Sequence, residues 1–471
     1  MVAGAGFSNR GESVIDTERV VLDSPPVSDG PERSAPRLAE GTELIGEYEG
    51  SGFQEPKYIL RRADGQIIQL PHLLYLLASN LDGKRTLDQV ANRLSGEFGR
   101  DLQAEQVSYL LDNRLRPAGI LEPDPESADA GAPAKLRSDS LLGLKFRVGA
   151  IPERVSWVIA GIFRPFFYPA VVLAALATFV ALDLAIFLHD GVAQIGPSGL
   201  AMVHHPELTL LVLAMLLASA MFHECGHVAA CRYGGARPGN MGFGIYLVWP
   251  ALFSTVTDSY RLNRRGRLRT DLGGVYFNAI FITGMSLVYL STGAPWLLIA
   301  ILLMHLETMR QFLPFVRFDG YYVLSDLIGV PDLFSRMGPV LKSMFRRKPH
   351  PRVQELKPWV RRVITLWVIL VIPALLYFLL PFIILAPYVL PVVWDALLQR
   401  GSAVGDAIQA EELALAAVNA IQMLLLVLPW AGMTLIVSMT GIQCFRAIRL
   451  RGQRRQREIR GGRHAASRLA R

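Results

Sequence analysis

His223-Glu224-Cys225-Gly226-His227 sets two imidazoles four residues apart with a carboxylate between them, inside a stretch apolar enough to cross a bilayer, roughly Leu210 to Cys231. On a helix, positions four apart share a face, so His223 and His227 can grip one Zn²⁺. Glu224 stands one residue along, in reach of water at that ion. This is a kit for metal-assisted peptide hydrolysis, in which Glu224 takes a proton from water and returns it to the leaving amine. Ionisable groups at membrane depth are expensive, so their presence in one turn of a span points to function rather than packing.

Two histidines leave such a site incomplete, because a catalytic zinc takes three protein ligands and keeps one position open. The candidates in or near apolar segments are Asp183, His305, Glu307 and Asp319. His305 falls near the middle of its own span, deeper than His227 when rises of about 1.5 Å per residue are counted from each boundary. Glu307 has Arg310 three residues on, a spacing that pairs them. Asp319 is preferred: it follows Pro314, which interrupts the helix, and precedes Gly320, although Arg317 then requires the segment to bend inward. Cys231, one turn past His227, is an alternative soft ligand, but a thiolate there would close the position that water needs. Cys225 points elsewhere on the helix, and His204-His205 read as exposed loop imidazoles.

The elements that must position these groups are mostly membrane helices. With 471 residues, 51% of them hydrophobic, and a mean hydropathy of +0.32, the chain is too apolar for an ordinary soluble enzyme and too long for a bare anchor. Cys225, Cys231 and Cys444 form no spaced framework, so disulfides are not what holds it together. The N-terminus lacks the basic and apolar regions of a signal peptide, and the first span is expected to insert uncleaved. Six spans are expected, at about 166–188, 207–231, 273–292, 297–316, 363–385 and 415–443. With the N-terminus cytoplasmic, loops 232–271 and 317–362 and the tail from 446 carry 7, 10 and 10 Lys/Arg, against Arg400 alone on the opposite side. The positive-inside rule then puts both termini in the cytoplasm. The Arg-rich tail lacks aromatic interleaving and any recognition fold, so anionic lipid is the expected contact and nucleic acid is not.

Ahead of the spans, residues 1–42 are rich in Ser, Pro, Gly and acids and read as disordered. Residues 43–123 read as a small domain. Two β-rich runs, Tyr58 to Arg61 and Gln66 to Leu70, turn at Asp64-Gly65, and three amphipathic helices follow. The second has Leu87, Val90, Ala91, Leu94 and Phe98 behind a Thr86 cap; the third has Val107, Leu110, Leu111 and Leu115. Residues 124–142 read as a flexible linker, 143–445 as the membrane domain and 446–471 as a basic tail. Within the membrane domain, Phe243, Ile245, Leu247 and Trp249 alternate before Pro250 and a second β-prone run, Phe253 to Thr257. That pattern suits a hairpin dipping into the membrane, whose edge can hold a substrate extended, or an interfacial loop anchored by Tyr246 and Trp249. The expected fold is mainly α: a polytopic bundle of about six spans with a membrane-associated β-hairpin and a small N-terminal α+β winged-helix-like domain.

Residues 43–123 resemble the PqqD-like domains that hold the leader of ribosomally made peptides during modification, through Leu81-Asp82-Gly83-Lys84-Arg85-Thr86 and the closing Leu111 to Gly119-Ile120-Leu121. The resemblance implies that a precursor peptide adds as a strand along Gln66 to Leu70 and packs on Val107 to Arg114. The rival is a winged-helix module that merely packs on the membrane domain. Phe222 to His227, with Gln311-Phe312-Leu313-Pro314-Phe315-Val316-Arg317-Phe318-Asp319-Gly320, is similar to the two motifs of the site-2 proteases, intramembrane zinc metalloproteases. Gln311 stands where that family has Asn, and Phe318 where it has Leu. Gly274-Val275-Tyr276-Phe277-Asn278 looks like the family's Gly-Pro-x-x-Asn segment with Val275 in place of proline; it implies that Asn278 steadies the substrate carbonyl. The wording around Cys231 to Gly234 and Gly320 to Asp326 looks most like the peptide zinc metalloprotease branch.

The resemblance implies Zn²⁺ held by His223, His227 and Asp319, Glu224 as catalytic base, and Asn278, Phe243, Ile245 and Leu247 as substrate contacts. It further implies a bacterial plasma-membrane endopeptidase that matures a ribosomal peptide beside modifying enzymes or an exporter. Two alternatives stand: cleavage of a transmembrane regulator, and a non-catalytic zinc-containing docking or export partner.

Overall fold

The computed structural model describes residues 7–8, 14–16, 35–122, 144–189, 191–246, 249–345 and 350–469. Leu247 and the linker expected at 124–142 lie outside these, as does most of the segment expected to be disordered. Inside that segment are two short strands, β1 (Phe7–Ser8) and β2 (Val14–Asp16).

Gly65 adopts φ +80° and the Asp64 carboxylate accepts from the Gln66 amide, which closes the reversal foreseen at Asp64-Gly65. Around it lies a sheet of order β2-β5-β4-β3, with β3 (Glu43–Glu47), β4 (Lys57–Arg61) and β5 (Ile67–Pro71) antiparallel and β2 parallel to β5. Helices α1 (His72–Ser79), α2 (Leu87–Phe98) and α3 (Ala104–Leu110, continued by a wider turn over Leu111–Leu115) pack on it. Val90, Ala91, Leu94, Val107, Leu110, Leu111 and Leu115 are all in their shared core, as the helical spacing requires. Thr86 and Gln89 close a reciprocal capping box at the start of α2, and Gly99 ends the helix in the left-handed region. The domain begins earlier than residue 43: Arg37 bridges to Asp82, Leu38 bridges to Leu121, and Leu38 packs on the core.

The rest is mainly helical. β6 (Leu144–Ile151) leads into α4 (Glu153–Phe163), α5 (Pro169–Leu188), α6 (Gly191–His204) and α7 (Pro206–Tyr233). Then come β7 (Met241–Tyr246), β8 (Trp249–Ser254), α8 (Arg264–Thr292) and α9 (Trp296–Gln311). α10 (Asp319–Ile328), α11 (Leu333–Met344) and the single turn α12 (Pro351–Gln354) precede two very long helices, α13 (Pro358–Gln409) and α14 (Leu413–Leu469). The expected hairpin exists as β7 and β8 within a second sheet of order β1-β8-β7-β6.

Among the described residues, five helices are long and apolar enough to span a bilayer, against about six expected: α5, α7, α8, α13 and the Leu413–Met439 part of α14. The fourth expected span is α9, whose 16 residues reach about 24 Å at about 1.5 Å each, short of a hydrocarbon core of about 30 Å. The fifth is only the first half of α13, which runs on through Pro373, Pro381, Pro387 and Pro391.

A polar and aromatic seam joins the N-terminal domain to the membrane domain. Phe53 is buried in a core with Tyr321, Tyr322, Val360 and Trp367. Backbone bonds run from Gly52 N to Gly329 O (2.9 Å), from Lys357 N to Gly52 O (2.9 Å) and from Gln54 N to Glu355 O (2.8 Å). Arg267 of α8 is fully buried there, its guanidinium over the Tyr48 ring at 4.3 Å, donating to Glu49 O at 2.9 Å and paired with Asp326 at 3.4 Å. Tyr260 packs with Tyr48, Ile59 and Ile67. The N-terminal domain thus packs on the membrane domain, and its β5 is paired by β2.

Candidate metal centre

Three glycines let α7 and α8 approach until their backbones touch. A Cβ on Gly226 would collide with the Gly273 carbonyl, and one on Gly273 would lie 2.6 Å from Gly226 O. Gly274, the next residue, faces the two imidazoles; a Cβ there would run into His223 Nε2 and stand 2.5 Å from His227 Nε2. Behind the crossing, Phe222, the residue before the first imidazole, stacks near Phe277 (centroids 4.6 Å), with Phe163, Phe166 and Phe167 around it.

The third group arrives from the far motif. Pro314 ends the run of α9, and the Trp367 indole donates to Pro314 O at 2.9 Å, pinning the bend. Gly320 lies so close to Phe312 O that a side chain would not fit, which turns Asp319, the first residue of α10, inward. Arg317 does not obstruct this: it is buried, bonded to Asp332 at 2.9 Å and set over the rings of Tyr321 and Phe334.

His223 Nε2 is 3.1 Å from Asp319 Oδ2, His227 Nε2 is 3.5 Å from Asp319 Oδ1, and the two Nε2 atoms are 3.1 Å apart. All three residues are at most 1% exposed. His227 Nδ1 meets the Thr270 carbonyl at 2.8 Å, which makes Nδ1 the donor and leaves Nε2 a lone pair for an ion. Among the described residues Asp319 meets the two imidazoles and Glu224 has the Ser254 hydroxyl beside it, and no further hydrogen bond satisfies these buried carboxylates, a costly arrangement unless a cation compensates. A tetrahedral ion with bonds of about 2.0–2.1 Å holds neighbouring ligands about 3.3 Å apart; the observed separations fit it. His223, His227 and Asp319 are the only such metal-competent group among the described residues. Ser254, the last residue of β8, is buried with its hydroxyl beside the Glu224 carboxylate.

The other acid and imidazole candidates are engaged elsewhere. His305 and Asp183 pair with each other at 3.1 Å, and Glu307 pairs with Arg310. Cys231 packs among Ala160, Val228, Ala236, Met241 and Val256. His205 is exposed and bonded to Glu207.

A search for relatives finds the protein described as "Putative peptide zinc metalloprotease protein YydH" of Bacillus subtilis (strain 168), 23% identical over 132 residues, which is 28% of this chain. The chain spans about half of that relative's length, 52%. No family model and no solved structure matches the chain. The match is to a zinc metalloprotease by description, and the three buried groups form a centre able to take such an ion.

The remaining expected site residues are more dispersed. Asn278 lies one turn beyond Gly274 on the same face of α8, and its Nδ2 donates to Thr308 of α9 at 3.1 Å, which uses one of its two N–H donors. Phe243 and Ile245 are exposed on β7, but β7 is interior to its sheet, flanked by β6 and β8. β8 is flanked in turn by β1 at Phe253 and Ser254, so a strand added on that side of the hairpin would take the place of β1, at the end of β8 beside Glu224. Ser254 and the Thr270 carbonyl escaped sequence reasoning, and Gly274 was named there only as the start of the segment that leads to Asn278. Gly273-Gly274 inside an apolar span was the available signal for the close helix crossing; a backbone acceptor such as Thr270 O leaves none.

Proposed function

We propose that the chain is an intramembrane zinc endopeptidase of the site-2 protease type that matures a precursor peptide at the cytoplasmic side of a bacterial plasma membrane, both termini being cytoplasmic. The observation that carries this reading is the convergence of His223 and His227 on α7 with Asp319 on α10, beside the buried carboxylate of Glu224. Zn²⁺, when bound by those three residues, supplies Lewis acidity and brings the pKa of water to about 7. Glu224 holds and transfers the proton: it takes one from the attacking water and delivers it to the departing amine. Thr270 fixes the His227 tautomer. The β8 edge holds the scissile segment extended, since a peptide bond inside a helix keeps its carbonyl hydrogen-bonded and shut to attack.

The N-terminal domain is read as a PqqD-like recognition module that docks the precursor on β5, and the substrate as a ribosomally made, modified peptide losing its leader. Modifying enzymes or an exporter are the partners this reading expects, and the basic loops and tail contact anionic lipid. The test compares membranes carrying the wild-type chain with membranes carrying Glu224→Gln, by zinc analysis and mass spectrometry of peptide N-termini. Zinc should be retained while a short precursor accumulates uncut, its processing slowed at least about 100-fold. Unchanged processing in the variant overturns the reading.

A further inference from the structure

Both sheets of the molecule end in an edge, and the same stretch of chain lies on both. In the N-terminal domain β2 runs parallel to β5, with Val14 opposite Ile67, Ile15 opposite Ile68 and Asp16 opposite Gln69. In the membrane domain β1 runs parallel to β8, with Phe7 opposite Phe253 and Ser8 opposite Ser254. Ser254 is the residue beside Glu224, and β1 also lies against α10, the helix that opens with Asp319. A strand is thus already seated in the space between the catalytic carboxylate's neighbour and the helix that supplies the third ligand.

The two edges are held in a fixed relation. Tyr260 shares a buried cluster with Ile67, the β5 residue opposite Val14, and the buried Arg267, Tyr48 and Asp326 lock the domains together nearby. Only six residue steps separate Ser8 from Val14, so a chain that gains at most about 3.3–3.6 Å per residue bridges the two edges over about 20 Å. A tethered strand of this kind has an effective concentration on the order of millimolar at its site, enough to occupy it through backbone hydrogen bonds alone.

We propose that β5 and β8 form one continuous track for an extended peptide, and that Phe7–Ser8 and Val14–Asp16 occupy it as an internal stand-in for the substrate. The occupant reaches the metal centre about six residues on the N-terminal side of its segment on the recognition domain; a leader cut on its C-terminal side would run along the same two edges in the opposite direction. An incoming peptide must displace this occupant, so its apparent affinity is reduced by the fraction of chains in which the track is filled. The inference deepens the peptidase reading and rests on it for its meaning, but the pairing itself is testable without hydrolysis.

In membranes, the pair Asp16→Cys with Gln69→Cys and the pair Phe7→Cys with Phe253→Cys should crosslink under mild oxidation. The offset pair Asp16→Cys with Ile67→Cys should not, because residues two positions out of register exceed the reach of a disulfide, about 7 Å between Cα atoms. Separately, a fluorescent peptide with the sequence of residues 5–18 should bind a chain lacking residues 2–18 at least about 10-fold more tightly than the full chain. Absent or register-independent crosslinking, or equal peptide affinity for both chains, overturns the inference. Failure here with Glu224-dependent processing intact removes the internal occupant alone; crosslinking with Glu224-independent processing removes the peptidase reading alone.

Discussion

Gly274 is the residue on which the geometry of the centre is most finely balanced. Any side chain there occupies the space in front of the two imidazoles, and the smallest one already collides with His223 Nε2. Gly274→Ala should therefore weaken zinc binding by about 10–100-fold, the range seen when the groups supporting metal ligands are disturbed, while leaving the fold intact. Zinc titration of the purified variant checks this; unchanged affinity would mean that the imidazoles are free to move aside. At this scale much was legible. The four-residue spacing of His223 and His227 survives any helix, and Asp319 was favoured over Asp183, His305 and Glu307 because a Pro-broken segment can turn a carboxylate inward. What the sequence hides is orientation: the Thr270 carbonyl that sets the His227 tautomer is a backbone group with no residue type to announce it.

Elements carry the next layer, and here local rules transferred well. The Thr86 cap, the turn at Asp64-Gly65 and the apolar faces of α2 and α3 are all where the sequence patterns put them, and Gln89 adds the second half of a capping box. Thr86→Ala should destabilise the N-terminal domain by about 1 kcal/mol, read as faster amide exchange across α2 than in the rest of the domain. Just before that cap, the amides of Lys84 and then Arg85 hold the Asp82 carboxyl below its ordinary range. A carboxyl lowered by folding stabilises above its unfolded pKa of 3.8, and that contribution is lost as pH falls through the folded value. Asp82→Asn should flatten this acid limb of the domain's stability profile, measured by amide exchange against pH. The span count was less transferable. Hydropathy marks apolar stretches, not where a helix stops, so α9 proved too short and α13 continued through four prolines.

At the scale of the whole molecule, the seam between the domains is the feature that sequence could not supply. Nothing in the spacing of Tyr48, Arg267 and Asp326, separated by more than 200 residues at one end, foretells that they stack and pair. Composition at 124–142 argued for a flexible linker, a stretch outside the described residues; the packed seam between the domains gives the two sheets a fixed relation. Arg267→Met leaves Asp326 buried without its cation, and a loss on the order of 3 kcal/mol is expected at the seam. Hydrogen exchange should then rise at Tyr48 to Phe53 and at the start of α10, with α2 unaffected. Exchange spread evenly over the N-terminal domain would instead mean that the seam is not a separate unit of stability.

The proposed hydrolysis needs one ion held by His223, His227 and Asp319, and X-ray absorption at the zinc edge on the purified full-length protein tests for it directly. The account predicts one zinc per chain with two imidazole nitrogens and carboxylate oxygen at about 2.0–2.2 Å, no sulfur in the first shell, and loss of the oxygen contribution or of the metal in Asp319→Asn. A sulfur ligand, or a spectrum and zinc content unchanged by Asp319→Asn, would contradict it.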